Sequence, residues 1–151
     1  MDPSTRRASD NDIRLRIYDH FVRRGQPPVP VELSAELGIS SDEVEAAFRR
    51  LADDHVLVLV PGTPYIWFAN PLCALPSPFS VEAQGRRWWG ACIWDALGIL
   101  AMLGTDGTVS TACPDCAEPL EVSVRGGEVS GEGVAHYAVP AARWWDDIGF
   151  T

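Results

Sequence analysis

The chain has no lysine: all 12 of its basic residues are arginine, and 21 acidic residues leave a net charge of −9. Arginine-only usage reads as a genomic coding bias and carries no functional weight. The shortage of positive charge does. Residues 1–70 hold 8 arginines against 11 acids, a net −3, and residues 71–151 hold 4 against 10, a net −6. Neither half offers the basic field that phosphate contacts need. Also missing is any uninterrupted apolar run of bilayer length. The start, MDPSTRRASDND, lacks the apolar stretch of a secretory signal, so the cytoplasm is the expected setting and no membrane is expected as a partner. Cysteine is scarce, limited to Cys73, Cys92, Cys113 and Cys116. In a reducing compartment four cysteines suggest free thiols, a metal site or catalysis before a disulfide framework. No internal repeat or low-complexity segment is visible.

What is present reads as globular. With 46% hydrophobic and 22% charged residues, 151 residues suit one compact core, or a small helical module joined to a larger unit. In NDIRLRIYDHFVRR, residues 11–24, Ile13, Ile17, Phe21 and Val22 recur at helical spacing and Gly25 follows as a stop. A short helix is expected in VELSAELG, stopped by Gly38. A third is capped by Ser40 or Ser41, with Val44, Ala47, Phe48 and Leu51 facing inward. VLVLVPGTPYIWFANP then reads as a hairpin around Pro61, Gly62 and Pro64. Three helices and a hairpin predict a winged helix-turn-helix over residues 1–70. Its third helix carries Asp42, Glu43, Glu45, Asp53 and Asp54 against Arg49 and Arg50, which argues against a DNA-reading role.

Pro71, Pro76 and Pro78 mark residues 71–78 as a linker. From residue 79 the expectation is an extended FSVEA, an apolar helix containing Cys92, β-runs in TVSTACP, PLEVSVRGG and VAHYAVP, and a turn at Gly126-Gly127. The fold class predicted is therefore α+β, with an antiparallel sheet packed by one apolar helix in the second unit, residues 79–151.

The stretch WWGACIWDALGIL places Cys92 and Asp95 three residues apart among Trp88, Trp89, Ile93, Trp94 and Leu97. On one helix face the two side chains share a pocket. Apolar surroundings raise a carboxyl pKa, which would keep Asp95 available as a proton donor. A thiol in such surroundings is inert unless a cation, a helix N-terminus or a metal favours its thiolate, and a position behind Arg86 and Arg87 early in the helix offers some of that help. Three readings stand. The first is nucleophilic thiol catalysis, although nothing in sequence ties His20, His55 or His136 to the site. The second is capture of a soft metal, with the acid protonating a leaving group. The third is a buried cysteine acting as a small hydrophobe beside a locally capping aspartate.

Two further motifs carry possible metal ligands. The C-P-D-C of Cys113 and Cys116 has metal-knuckle spacing but supplies only half of a zinc site, and it precedes a strand, unlike a redox C-x-x-C at a helix start. His136 or Cys73 could complete it only through folding. Asp146 and Asp147 in RWWDDIG are adjacent and so poorly placed for a shared hard cation. A solvated turn beside a buried Trp144 or Trp145 fits better.

The succession of winged-helix pattern, prolines, PFSVEAQGRRWWGACIWDALGI, STACPDCAEPLEVSV and AHYAVPAARWWDDIGFT resembles the organomercurial (alkylmercury) lyase family over essentially the whole chain. The resemblance implies that Cys92 and Asp95 are catalytic and also ligands of mercury. The implied reaction is protonolysis of the carbon–mercury bond of R–Hg⁺ to a hydrocarbon and Hg²⁺, with no cofactor and mercury only as substrate and product. It implies a structural Cys113, leaves Cys116 unassigned, and makes cytosolic thiols or a mercury reductase the acceptors of Hg²⁺. It also implies a second catalytic cysteine directly after WWDDIGFT, where the sequence ends at Thr151. Three explanations fit this: an in-frame UGA read as selenocysteine, which is favoured, a shortened relative with impaired activity, or recruitment of Cys113 or Cys116 as second ligand. The rival functions are a winged-helix regulator sensing metal or redox state through its thiols, and a non-catalytic binder of thiophilic metals.

Overall fold

A computed structural model describes residues 8–150. Residues 1–7, which hold most of the polar start, and Thr151, where the expected second ligand would follow, lie outside the described residues. The fold is α+β. Three helices come first, α1 (Asp10–Arg24), α2 (Pro30–Leu37) and α3 (Ser41–Asp53). Reciprocal capping boxes start α1 at Ser9/Asp12 and α3 at Ser40/Glu43, and left-handed Gly25 and Gly38 end α1 and α2. The inward faces match the periodicity: Ile13, Ile17 and Phe21 of α1 pack with Val44, Ala47, Phe48 and Leu51 of α3. Val22 is only partly buried, and His20 takes a buried place on α1 instead, facing Glu32 and Glu36 of α2 at 3.8 and 4.0 Å.

A three-stranded antiparallel sheet follows, β1 (Val58–Leu59), β2 (Ile66–Ala69) and β3 (Leu72–Cys73), in that order. Its third strand falls inside the segment expected as a linker. Leu72 and Cys73 are buried and pair with Ala69 and Phe68, because two apolar residues after Pro71 gain more from joining the core than from bridging units in solvent. Tyr18 Oη donates to the Asn70 carbonyl at 2.8 Å and ties this sheet to α1.

The second sheet has five antiparallel strands in the order β5-β4-β6-β7-β8: β4 (Phe79–Ala83), β5 (Arg86–Gly90), β6 (Gly107–Ala112), β7 (Pro119–Arg125) and β8 (Glu128–Ser130). Arg86–Gly90, expected as the approach to a helix, is a strand. Gln84 and Gly85 both have positive φ, 53° and 72°, the conformation of a tight two-residue hairpin, and the turn folds RRWWG back onto FSVEA. One row of side chains, Trp88, Val81, Val109 and Val122, crosses four strands, and the first three are fully buried. Trp88 also donates its indole N–H to the Val22 carbonyl at 3.2 Å, so the two halves share one core. Gly126 and Gly127 make the expected turn between β7 and β8. VAHYAVP, expected as a strand, forms none. Residues 131–138 lie largely exposed and run without regular structure to a 3-10 helix at Ala141–Asp146.

Helix α4 (Ile93–Leu103) lies on β4, β5 and β6, burying Ala96, Ile99 and Leu100. It begins immediately after β5, and the join is tight. A Cβ on Gly90 would sit 2.5 Å from the Ala96 amide nitrogen and 2.9 Å from its Cα. Backbone cannot swing aside as a side chain can, so Gly90→Ala is expected to destabilise the fold by about 1–3 kcal/mol. Urea unfolding followed by tryptophan fluorescence checks this; an unchanged midpoint would show that the turn relaxes freely.

Candidate active site

The β5–α4 junction presents Cys92. The residue is not inside the helix, as the spacing suggested, but is its N-cap, with extended backbone (φ −143°, ψ −179°) and its carbonyl accepting from Ala96 N at 2.9 Å. Asp95 stands in the first turn of α4. N-cap geometry turns both side chains toward the open end of the helix, and Cys92 Sγ lies 3.7 Å from Asp95 Oδ2, the thiol donating to the carboxylate. The backbone N–H groups of Asp95 and Trp94 point at the sulfur, and those of Ala91 and Cys92 at the Asp95 carboxylate. Backbone N–H groups and the positive end of the helix dipole thus face a thiol and an acid together.

Burial sets the charge state. It pushes the Asp95 carboxyl above its ordinary range, against the hydrogen bonds from Cys92, Ala91 and the Cys92 backbone that favour the carboxylate. Burial likewise pushes the Cys92 thiol up, partly offset by the Asp95 backbone N–H, with the nearby carboxylate adding to the rise. The resting pair therefore keeps a proton on sulfur, hydrogen-bonded to the acid.

A cavity of about 190 Å³ opens over the pair, lined by Phe68, Trp94, Tyr137, Trp144, Trp145 and Ile148 among others. The C-terminal segment forms its roof. Trp144 donates its indole N–H to the Val139 carbonyl at 2.8 Å and packs on Tyr137 at 5.4 Å between ring centroids. Trp145 stacks on His55 at 4.0 Å with planes 6° apart. Of the tryptophans that surround Cys92 in sequence, only Trp94 lines the cavity; Trp88 is turned into the core.

Tyr137 carried no signal in sequence. Its hydroxyl neighbours Cys92, and its pKa is raised, first by burial and then by the Cys92 and Asp95 charges, so the phenol stays a neutral donor beside the sulfur. His55, unconnected in sequence, reaches the site only through Trp145. Trp144 is half-buried and Trp145 exposed, so neither is the buried tryptophan expected beside a turn. Asp146 pairs with Arg143 at 2.9 Å and stands apart from Asp95's cavity.

The remaining thiols are distributed elsewhere. Cys73 is buried on β3 and donates to the Leu75 carbonyl at 3.2 Å; burial raises its pKa, with Asp95 close enough to add to the effect. Cys113 and Cys116 flank the β6–β7 turn, the first half-buried and the second exposed. All four cysteines are free, and no three His, Cys, Asp or Glu side chains among the described residues cluster as a metal site. No helix among these residues is long and apolar enough to cross a membrane.

The family model for alkylmercury lyase (MerB) matches residues 72–150, a span that holds Cys92, Asp95 and the roof, while Phe68 and Asn70 of the cavity wall precede it. None of the curated proteins matches the chain. Among solved structures, the mercury-bound form of MerB2 is similar at 25% identity and a TM-score of 0.64, covering 80% of this chain and 58% of that one. The chain thus spans less than two thirds of that structure's length. With more than half of its residues matched by the family model, the chain belongs to the alkylmercury lyase family.

Proposed function

We propose that the chain cleaves the carbon–mercury bond of R–Hg⁺, with Cys92 as the capturing ligand and Asp95 as the proton donor. The observation that carries this is the 3.7 Å contact between thiol and carboxylate beneath an aromatic cavity. Mercury is soft and prefers sulfur to oxygen or nitrogen. When R–Hg⁺ binds, the Cys92 thiol gives its proton to Asp95 and its sulfur to mercury, leaving Cys92–S–Hg–R and a neutral carboxylic acid. That acid, whose raised pKa makes it hold the transferred proton more firmly than an exposed aspartate would, delivers the same proton to the carbon as the carbon–mercury bond breaks. The products are R–H and Cys92–S–Hg⁺, with the regenerated carboxylate beside the metal. No proton or electron is needed from outside, and no cofactor enters the scheme.

The cavity suits a small organic group. An apolar cavity of roughly 150 Å³ takes benzene, and the 190 Å³ here is walled by aromatic rings. We assign residues 79–151 to this chemistry, with residues 71–78 joining them to a winged-helix-like module over residues 1–70 that closes the back of the site through Phe68 and Asn70. DNA reading by that module has little support: Arg50 pairs with Asp10 at 2.6 Å and Arg49 with Glu45 at 3.1 Å, and Asp42 and Glu43 occupy the first turn of α3. Cytosolic thiols or a mercury reductase would accept the Hg²⁺.

Phenylmercury acetate incubated with the protein in excess dithiothreitol, with benzene measured in the headspace, tests the reading. The thiol supplies a second sulfur to mercury whichever group does so in the cell. Benzene release above the protein-free rate is expected. Stoichiometric mercury retention with no benzene would replace the lyase with a binder of thiophilic metals.

A further inference from the structure

The C-P-D-C turn has no part in the scheme above, yet it is built as tightly as the active site. Cys113 N donates to the Glu118 carbonyl at 2.9 Å and the Cys113 carbonyl accepts from Ala117 N at 2.9 Å, with Ala117 in the left-handed region at φ 59°. This closes the loop on itself, with Cys116 inside the same turn that Cys113 begins. The backbone N–H groups of Cys116 and Asp115 and the Cys116 thiol lie close enough to the Cys113 sulfur to favour its thiolate and lower its pKa from the ordinary thiol value. The pair is thus two free thiols held within one closed turn at the protein surface.

Its ligand count decides what it can hold. Structural zinc takes four protein ligands, and among the described residues no third His, Cys, Asp or Glu joins these two. Two thiolates do complete the shell of a soft ion that favours two collinear sulfurs, as Hg²⁺ does.

Its position gives it a source. Phe79 of β4 pairs with Gly90 of β5, and Ser80 pairs with Ser110 of β6, which puts Thr111 level with Gly90 on the other side of β4. The chain leaves β5 and β6 at the same end of the sheet. Cys92 lies two residues beyond Gly90 and Cys113 two beyond Thr111, with one strand between, so the two exits stand roughly 10 Å apart at the usual strand spacing.

We propose that Cys113 and Cys116 form a second soft-metal site, which takes Hg²⁺ from Cys92 and presents it to thiols outside. The source of the ion rests on the lyase reading; the binding itself does not. The transfer balances as Cys92–S–Hg⁺ plus the Cys113 thiolate and the Cys116 thiol giving Cys113–S–Hg–S–Cys116 and the Cys92 thiol. The proton of Cys116 ends on Cys92, which is thereby restored for the next substrate, and nothing is oxidised.

The test uses inorganic HgCl₂, so it stays independent of any lyase activity. The full chain carrying Cys92→Ala, challenged with one equivalent of HgCl₂ and millimolar glutathione and then desalted, is expected to retain one mercury per molecule. Adding Cys116→Ser should weaken retention by about 10²-fold or more, because one thiol loses the effective concentration supplied by its neighbour. Cys113→Ser should do the same, and circular dichroism of each variant tells loss of the site from loss of the fold. Equal retention with and without Cys116, or no retention by the folded Cys92→Ala protein, overturns the proposal. So does one equivalent of zinc held against a competing chelator, which would mark a site of more than two ligands.

Discussion

Cys92→Ala is expected to lower benzene release from phenylmercury by about 10³-fold or more, equivalent to about 4 kcal/mol of lost transition-state stabilisation. The size follows from what else could take over, which is little. Cys73 is buried with its thiol bonded to a carbonyl, and Cys113 and Cys116 open to solvent rather than into the aromatic cavity. Excess dithiothreitol still binds the mercurial in solution, but it cannot set carbon against the Asp95 carboxyl. The substitution deletes both the sulfur and the proton that Asp95 receives from it. The loss should therefore appear in kcat and kcat/KM alike, the pattern of a group acting in the reaction itself. The fold should survive: Cys92 makes no side-chain cap hydrogen bond of normal geometry to α4, and the Trp94 and Asp95 N–H groups that point at its sulfur can turn to water in the alanine variant. Headspace benzene from protein with an unaltered unfolding midpoint is the measurement. Release within a fewfold of the parent would remove Cys92 from the mechanism.

Much of this site was legible in the residues and some of it was not, for physical reasons. The N-terminal helices could be read because their signals are local: a 3.6-residue apolar period in α1 and α3, serine caps, and glycine stops. The C-x-x-D spacing pointed to a shared pocket even though Cys92 proved to be the N-cap, since N-cap and N3 side chains meet as neighbours on a helix face do. Strand β5 was missed because its turn is Gln84-Gly85, without the asparagine or aspartate that usually announces a two-residue hairpin, and because Trp88 and Trp89 look as much like helix as strand. Strand β3 was hidden between prolines. The roof was the least legible part. Tyr137, Trp144 and Trp145 lie 42 or more residues from Asp95 in segments with no periodicity, and only tertiary packing assigns them to the cavity. VAHYAVP has the composition of a strand but no neighbouring edge that it joins, so composition alone misled.

Asp95→Asn should separate capture from cleavage. Asparagine keeps the shape and an acceptor oxygen for the Ala91 and Cys92 N–H groups, so Cys92 should still bind phenylmercury. Without a carboxyl group to carry the proton, benzene release should fall by roughly 10²–10⁴-fold, the usual span for a positioned general acid. The pH dependence tests the same residue from another side. Burial raises the Asp95 pKa above 3.8, so the folded protein holds the proton to higher pH than the unfolded chain. This contributes stability that is full below pH 3.8 and lost as pH rises through the folded value. At neutral pH the buried carboxylate is accordingly a cost, and Asp95→Asn should be more stable than the parent there, with the advantage shrinking as the pH is lowered toward 3.8. Chemical unfolding across pH 3.5–7.5 and phenylmercury titration of each protein provide the two readouts. A variant that gains stability and keeps mercurial binding while losing benzene release identifies Asp95 as the acid; one that loses stability and binding together makes it a structural cap of α4.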